Sequence, residues 1–74
     1  MKFDDWLFHL LLAAEIGNDA DAHIRRQAVD YKAGLRRKRQ GDAVTFRVLN
    51  RLIRSPAPAV LLRGTLTEAH FSHD

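Results

Sequence analysis

The chain has 74 residues, no cysteine and a formal net charge of +3. This length allows one domain with a small core, and the lack of cysteine excludes disulfides and thiolate metal sites, so self-association is the expected source of extra stability. The charge is uneven, because residues 35–63 contain eight Arg or Lys residues and one acid, Asp42, whereas residues 1–34 contain four cations and six acids. Such a basic block indicates an acidic partner.

The first predicted helix covers residues 4–16. Eight of the nine residues at positions 6–14 are apolar, and at about 100° per residue they cover nearly every side of a helix. The segment is too short to span a membrane, so the pattern predicts a central, buried helix. Asp4 and Asp5 occupy the place where a secretory signal has positive charge, so we expect a cytoplasmic protein.

The second predicted helix covers residues 19–39 and forms a hairpin with the first. Gly17 is suited to end the first helix, Asn18 to cap the second, and Gly41 to follow its end. An apolar seam with 4, 3, 4 spacing runs along it, which is typical of helix packing. Its members are Ile24, Ala28, Tyr31 and Leu35.

The third predicted helix covers residues 43–54, with Asp42 as its N-cap. Val44, Phe46 and Val48 alternate as in a strand, but the following apolar residues break that period. A helix instead places all of the apolar residues on one arc and the arginines on the other. The third helix is therefore predicted to be strongly amphipathic.

Two prolines at positions 56 and 58 end the third helix, and the conformation that follows is left open. Residues 58–64 could form a turn of helix, or residues 60–66 could extend over the core, and Thr65 to Glu68 match a capping box that would start a short helix. The predicted fold is all-α. It is a three-helix assembly, a helical hairpin plus an amphipathic third helix, with one domain over residues 1–64, a C-terminal arm or short helix over residues 65–74, and a dimeric state.

Two groups of cations are candidates for partner binding. The first is a run at the end of the second helix, and the second is a ridge with i, i+4, i+7 spacing on the third. A solvated helix end would explain part of the run, but four adjacent cations repel one another, and no acid after Asp42 interrupts the ridge. Together these residues form the predicted basic surface: Arg36, Arg37, Lys38, Arg39, Arg47, Arg51 and Arg54.

Apolar side chains of the first helix should remain exposed, because two or three thin helices cannot cover it completely. Trp6, Phe8 and Leu12 are the predicted contacts to a second copy or a target. The histidines show no nucleophile pattern, His70 and His73 would need further ligands to hold a metal, and the glycines form no phosphate loop. We therefore expect no catalytic residue, no metal, no cofactor and no small-molecule substrate.

The predicted function is that of a small, non-catalytic regulatory or inhibitor-type protein, a class that phages and mobile elements also encode. Its basic surface and apolar patch would dock onto an acidic protein partner. The alternative is direct, largely sequence-independent binding of DNA or RNA through the same cations. Sequence-specific reading is not favoured, since a helix after Pro58 would begin Ala-Val-Leu-Leu, which is too apolar to read bases.

Overall fold

The computed structural model describes residues 2–16 and 19–71, and the side chains of these residues except Ile16 and residues 68–71. This part of the chain is all-helical and contains no strand, which confirms the all-α prediction and the helical interpretation of residues 43–54. Gly17 and Asn18, with their predicted capping roles, lie outside the described residues. The four helices are α1 (Phe3–Ile16), α2 (Ala20–Lys38), α3 (Ala43–Arg54) and α4 (Pro58–Phe71).

The fourth helix corrects the prediction of three helices followed by a C-terminal arm or short helix over residues 65–74. Pro58 is its first residue, where a fixed φ and a missing N–H do no harm, and the helix continues through Gly64 to Phe71. An extended course over residues 60–66 is therefore wrong. A mid-helix glycine costs only about 1 kcal/mol relative to alanine. Complete burial of Leu62, two residues before Gly64, outweighs that cost.

The core lies where all four helices meet, and α2 and α4 each pack against the three others. Each helix contributes apolar side chains that are at most 5% exposed. In the part of the chain that the structure describes, no helix is long and apolar enough to cross a membrane. The buried set is Leu7, Leu10, Ala14, Ile24, Ala28, Leu49, Leu52 and Leu62.

The first helix is not the central, buried element that its composition indicates. It packs against α2 and α4 through Leu7, Leu10 and Ala14, which have the 3, 4 spacing of a single face. Phe8 and Leu12 on the other side are 53% and 46% exposed. The central positions belong to α2 and α4, because each of them packs against all three other helices.

Two side chains of α2 secure the corner between α3 and α4. Arg25 Nη2 donates to the backbone oxygen of Ser55 at 2.8 Å, and Asp21 Oδ1 accepts from the backbone N–H of Ala59 at 3.0 Å. A cation thus lies at the carboxyl end of α3 and a carboxylate at the amino end of α4, which matches both helix dipoles. Asp21 and Arg25 are four residues apart, so one face of α2 orients both helices.

The turn between α2 and α3 is tight and has two residues with positive φ. Arg39 adopts the left-handed conformation at φ 53° and ψ 43°, and Gly41 has φ 95°. The N–H of Gln40 donates to the oxygen of Leu35 at 2.9 Å, which ends α2 in a Schellman arrangement. The helix therefore ends at an arginine, two residues before the glycine that the sequence suggests as its stop signal.

Candidate binding surface

The arginine ridge, which consists of Arg47, Arg51 and Arg54, lies on the solvent side of α3, and all three residues are exposed. One feature stabilises the start of α3, and a second sets its orientation. The Asp42 carboxylate accepts a hydrogen bond from the Thr45 N–H at 2.8 Å and caps the helix. Leu49 and Leu52 are almost completely buried on the opposite side. The amphipathic pattern of α3 therefore decides which way the guanidinium groups face.

An open depression of about 810 Å³ contains the ridge. Its lining combines the three arginines of the ridge with the apolar side chains of Phe46 from α3 and Leu61 from α4. The remaining lining residues are Ala43, Asn50 and Ser55. The depression can accept oxyanions and apolar side chains at the same time.

Lys32 of α2 extends this cationic region, and sequence reasoning missed it. Its Nζ donates to Asn50 Oδ1 at 2.7 Å, and Asn50 lines the same depression. Arg36 lies one turn further along α2 on the same side as Lys32. The i, i+4 pair of Lys32 and Arg36 was the available signal. No sequence signal pointed to Leu61, because its position beside the ridge depends on the corner between α3 and α4.

The cations of the basic run at the end of α2 point to different sides of that helix. Arg36 shares the α3 side with Lys32, whereas Arg37 and Lys38 lie about 100° and 200° further round α2. Arg37 runs back along its own helix, since its Nη2 atom lies 3.9 Å from the position that a Cβ on Gly34 would take. The predicted basic surface is therefore not continuous. Arg36 lies on the side of α2 that faces α3 and its ridge, whereas Arg37 and Lys38 face other directions.

None of the seven predicted cations forms a salt bridge with a carboxylate among the described residues. The ion pair found there joins Arg63 and Glu15, with Nη2 and Oε1 3.1 Å apart and both side chains about half exposed. Asp42, the acid nearest the ridge in sequence, is used as the helix cap. The hydrogen bond from the Thr45 N–H lowers the pKa of Asp42 below its ordinary value. The ridge is therefore not neutralised by a carboxylate of the described residues.

The predicted apolar contacts lie on two sides of α1. Phe8 and Leu12 are neighbours on the exposed side. Trp6 is only partly exposed, and its ring packs against Tyr31, with centroids 4.1 Å apart, and stacks on Phe3 at 5.8 Å. Phe8 and Leu12 therefore form a free pair, while Trp6 belongs to an aromatic cluster that joins α1 to α2.

Comparisons with protein families, with curated proteins and with solved structures found no match for this chain. Among the described residues no group of three or more His, Cys, Asp or Glu side chains is arranged to hold a metal ion. His70 belongs to α4, but its side chain lies outside the described ones, as does His73 as a whole. The arrangement that remains is a cationic, partly apolar surface suited to binding.

Proposed function

We propose that the chain is a small, non-catalytic cytoplasmic binding protein of the regulatory or inhibitor type, and that it docks the depression on α3 onto an acidic protein partner. The observation that supports this proposal is the mixed lining, in which the arginine ridge borders apolar carbon of Phe46 and Leu61. A helix or loop that carries carboxylates next to apolar side chains complements both parts. A phosphate backbone would leave the apolar part unused.

The chemistry of the ridge supports carboxylate recognition. Three arginines and no lysine line it, and a guanidinium group binds a carboxylate through two parallel hydrogen bonds. Val44 at the start of α3 is 60% exposed beside Arg47 and Arg51, which adds apolar area at the edge of the ridge. Charge would accelerate association, and burial of the apolar part would slow dissociation.

Nucleic-acid binding is the second candidate, and Asn50 is the observation that favours it. An asparagine between arginines on the outer face of one helix is the side-chain set that contacts adenine and guanine edges in a major groove. The Oδ1 atom of Asn50 already accepts a hydrogen bond from Lys32, which leaves its amide NH₂ as the free group. In this role the ridge would mainly neutralise phosphates.

The two candidates differ in their response to salt and to loss of apolar contacts. We suggest measuring, by fluorescence anisotropy, the binding of an amphipathic Glu/Leu helical peptide, of the same peptide with Leu replaced by Ser, and of a random-sequence DNA duplex. The proposal predicts that the Glu/Leu peptide binds most tightly and the Ser version much more weakly. DNA held by three phosphate contacts would lose about 40-fold in affinity for a fourfold increase in salt.

Charge reversal on the ridge provides the matched control. Changing Arg47, Arg51 and Arg54 to Glu should abolish binding of the Glu/Leu peptide, whereas Arg26→Glu, on an exposed part of α2 away from α3, should leave it intact. Tighter binding of DNA than of the Glu/Leu peptide would overturn the protein-partner proposal in favour of the second candidate. Absence of binding to all probes would overturn both.

A further inference from the structure

The exposed side of α1 carries negative charge, opposite in sign to that of the ridge. At about 100° per residue, Asp4, Asp5 and Glu15 lie around Phe8 and Leu12, and all five residues are exposed. Among the described residues Glu15 pairs with Arg63, while Asp4 and Asp5 form no salt bridge. We call these five residues the acidic α1 face. It presents carboxylates beside apolar side chains, which is the chemistry that the depression on α3 accepts.

We propose that the acidic α1 face of one chain docks onto the arginine ridge of a second copy. This inference rests on the proposed function and names one occupant of the same surface. Asp4 and Asp5 would meet guanidinium groups of the ridge, and Phe8 and Leu12 would cover the apolar carbon of Phe46 and Leu61. The charged part and the apolar part of the acidic α1 face would thus each contact a complementary part of the depression.

The dimensions of the two elements agree. At 1.5 Å per residue, α1 with 14 residues is about 21 Å long and α3 with 12 residues about 18 Å. Nearly the whole ridge can therefore be covered by one helix face. Two copies that exchange this contact reciprocally form a closed dimer, which is the commonest oligomer of small soluble chains.

The contact has to form between chains. Within one chain α1 is held against α2 and α4 by the burial of Leu7, Leu10 and Ala14. Its acidic face points away from those residues, so it could reach the ridge of its own chain only if this packing were lost. The dimer contact and an external acidic partner would then compete for the ridge, and self-association would regulate access to it.

Complementary charge reversal tests this proposal. One variant carries Arg47→Glu and Arg51→Glu, and the other carries Asp4→Lys and Asp5→Lys. Sedimentation of each variant alone should give a dimer dissociation constant at least about tenfold higher than that of the native chain, because each variant pairs like charges. Mixing the two variants should restore association, since every contact in the mixed pair joins opposite charges.

Restoration by mixing separates docking from misfolding, because a second variant cannot repair a fold that the first has lost. Leu12→Ser tests the apolar part without a change in charge and should also weaken association, with unchanged helix content by circular dichroism. Arg26→Glu should associate like the native chain. A native chain that stays monomeric at high concentration, or a mixture that fails to associate, would overturn the proposal.

The outcome is distinguishable from failure of the proposed function. A monomeric chain that still binds the Glu/Leu peptide would refute the second copy as occupant and leave the function intact. If mixing restores the dimer but the native chain, diluted until it is monomeric, does not bind the Glu/Leu peptide, the function is refuted and the self-docking contact is retained.

Discussion

Replacing Arg39 by glycine should stabilise the protein even though Arg39 belongs to the predicted basic surface. Arg39 ends α2 in the left-handed conformation, with φ 53° and ψ 43°. An L-residue pays about 1–2 kcal/mol for this conformation because its Cβ approaches the following carbonyl oxygen. Glycine avoids that contact. Its greater conformational freedom in the unfolded chain, however, lowers the stability of the folded state by roughly 0.5–1 kcal/mol.

The difference leaves a net gain of about 0.5–1 kcal/mol for Arg39→Gly, which in a domain of this size corresponds to a rise in Tm of about 2–8 °C. The two hydrogen bonds that end α2, from the backbone N–H groups of Arg39 and Gln40, remain possible, because both use main-chain atoms. Thermal and urea unfolding followed by circular dichroism would measure the change, with an unchanged urea slope as evidence that only stability differs.

Two further substitutions at this position separate backbone strain from charge. Arg39→Ala removes the cation but keeps the strained Cβ, so its stability should stay near that of the native chain. Arg39→Asn should lie between the alanine and glycine variants, since asparagine tolerates the left-handed region. If the glycine variant is no more stable than the alanine variant, the strain assigned to Arg39 is wrong.

Three other perturbations follow from the fold. Gly64→Ala should stabilise the chain by about 1 kcal/mol, because Gly64 is helical and nothing lies within 4 Å of an added Cβ, and a lower Tm would contradict this. Asp21→Ala should destabilise it by about 1–3 kcal/mol in urea unfolding, since the first turn of α4 loses its partly buried acceptor, while Asp21→Asn should cost less. The folded-state pKa of Asp42 lies below its ordinary value of 3.8. The ionised Asp42 cap therefore stabilises the fold fully above pH 3.8, and this stabilisation is lost as the pH falls through the lower pKa of the folded state. The Tm difference between the native chain and Asp42→Ala should therefore shrink below about pH 3.8, and a difference that stays constant there would refute the assignment.

Local patterns were enough to predict α2, α3 and the Asp42 cap. Each of these depends on neighbours within one or two turns, and the arginine ridge follows directly from the spacing of Arg47, Arg51 and Arg54 on an amphipathic helix. The fourth helix was harder to predict. Pro58 does begin a helix, as one of the two alternatives for this segment allowed, but the helix continues through Gly64, which is usually a sign of a helix end.

The amino-acid sequence by itself determined the helical class, the orientation of α3 and the excess of positive charge, because periodicity and composition act within single segments. Tertiary structure alone decided that α2 and α4 are central, that Trp6 is partly covered while Phe8 and Leu12 stay exposed, and that Leu61 borders the ridge. The physical reason is that an apolar side chain can be buried against any neighbour of suitable shape. Which neighbour it meets depends on the corner that Asp21 and Arg25 hold between α3 and α4.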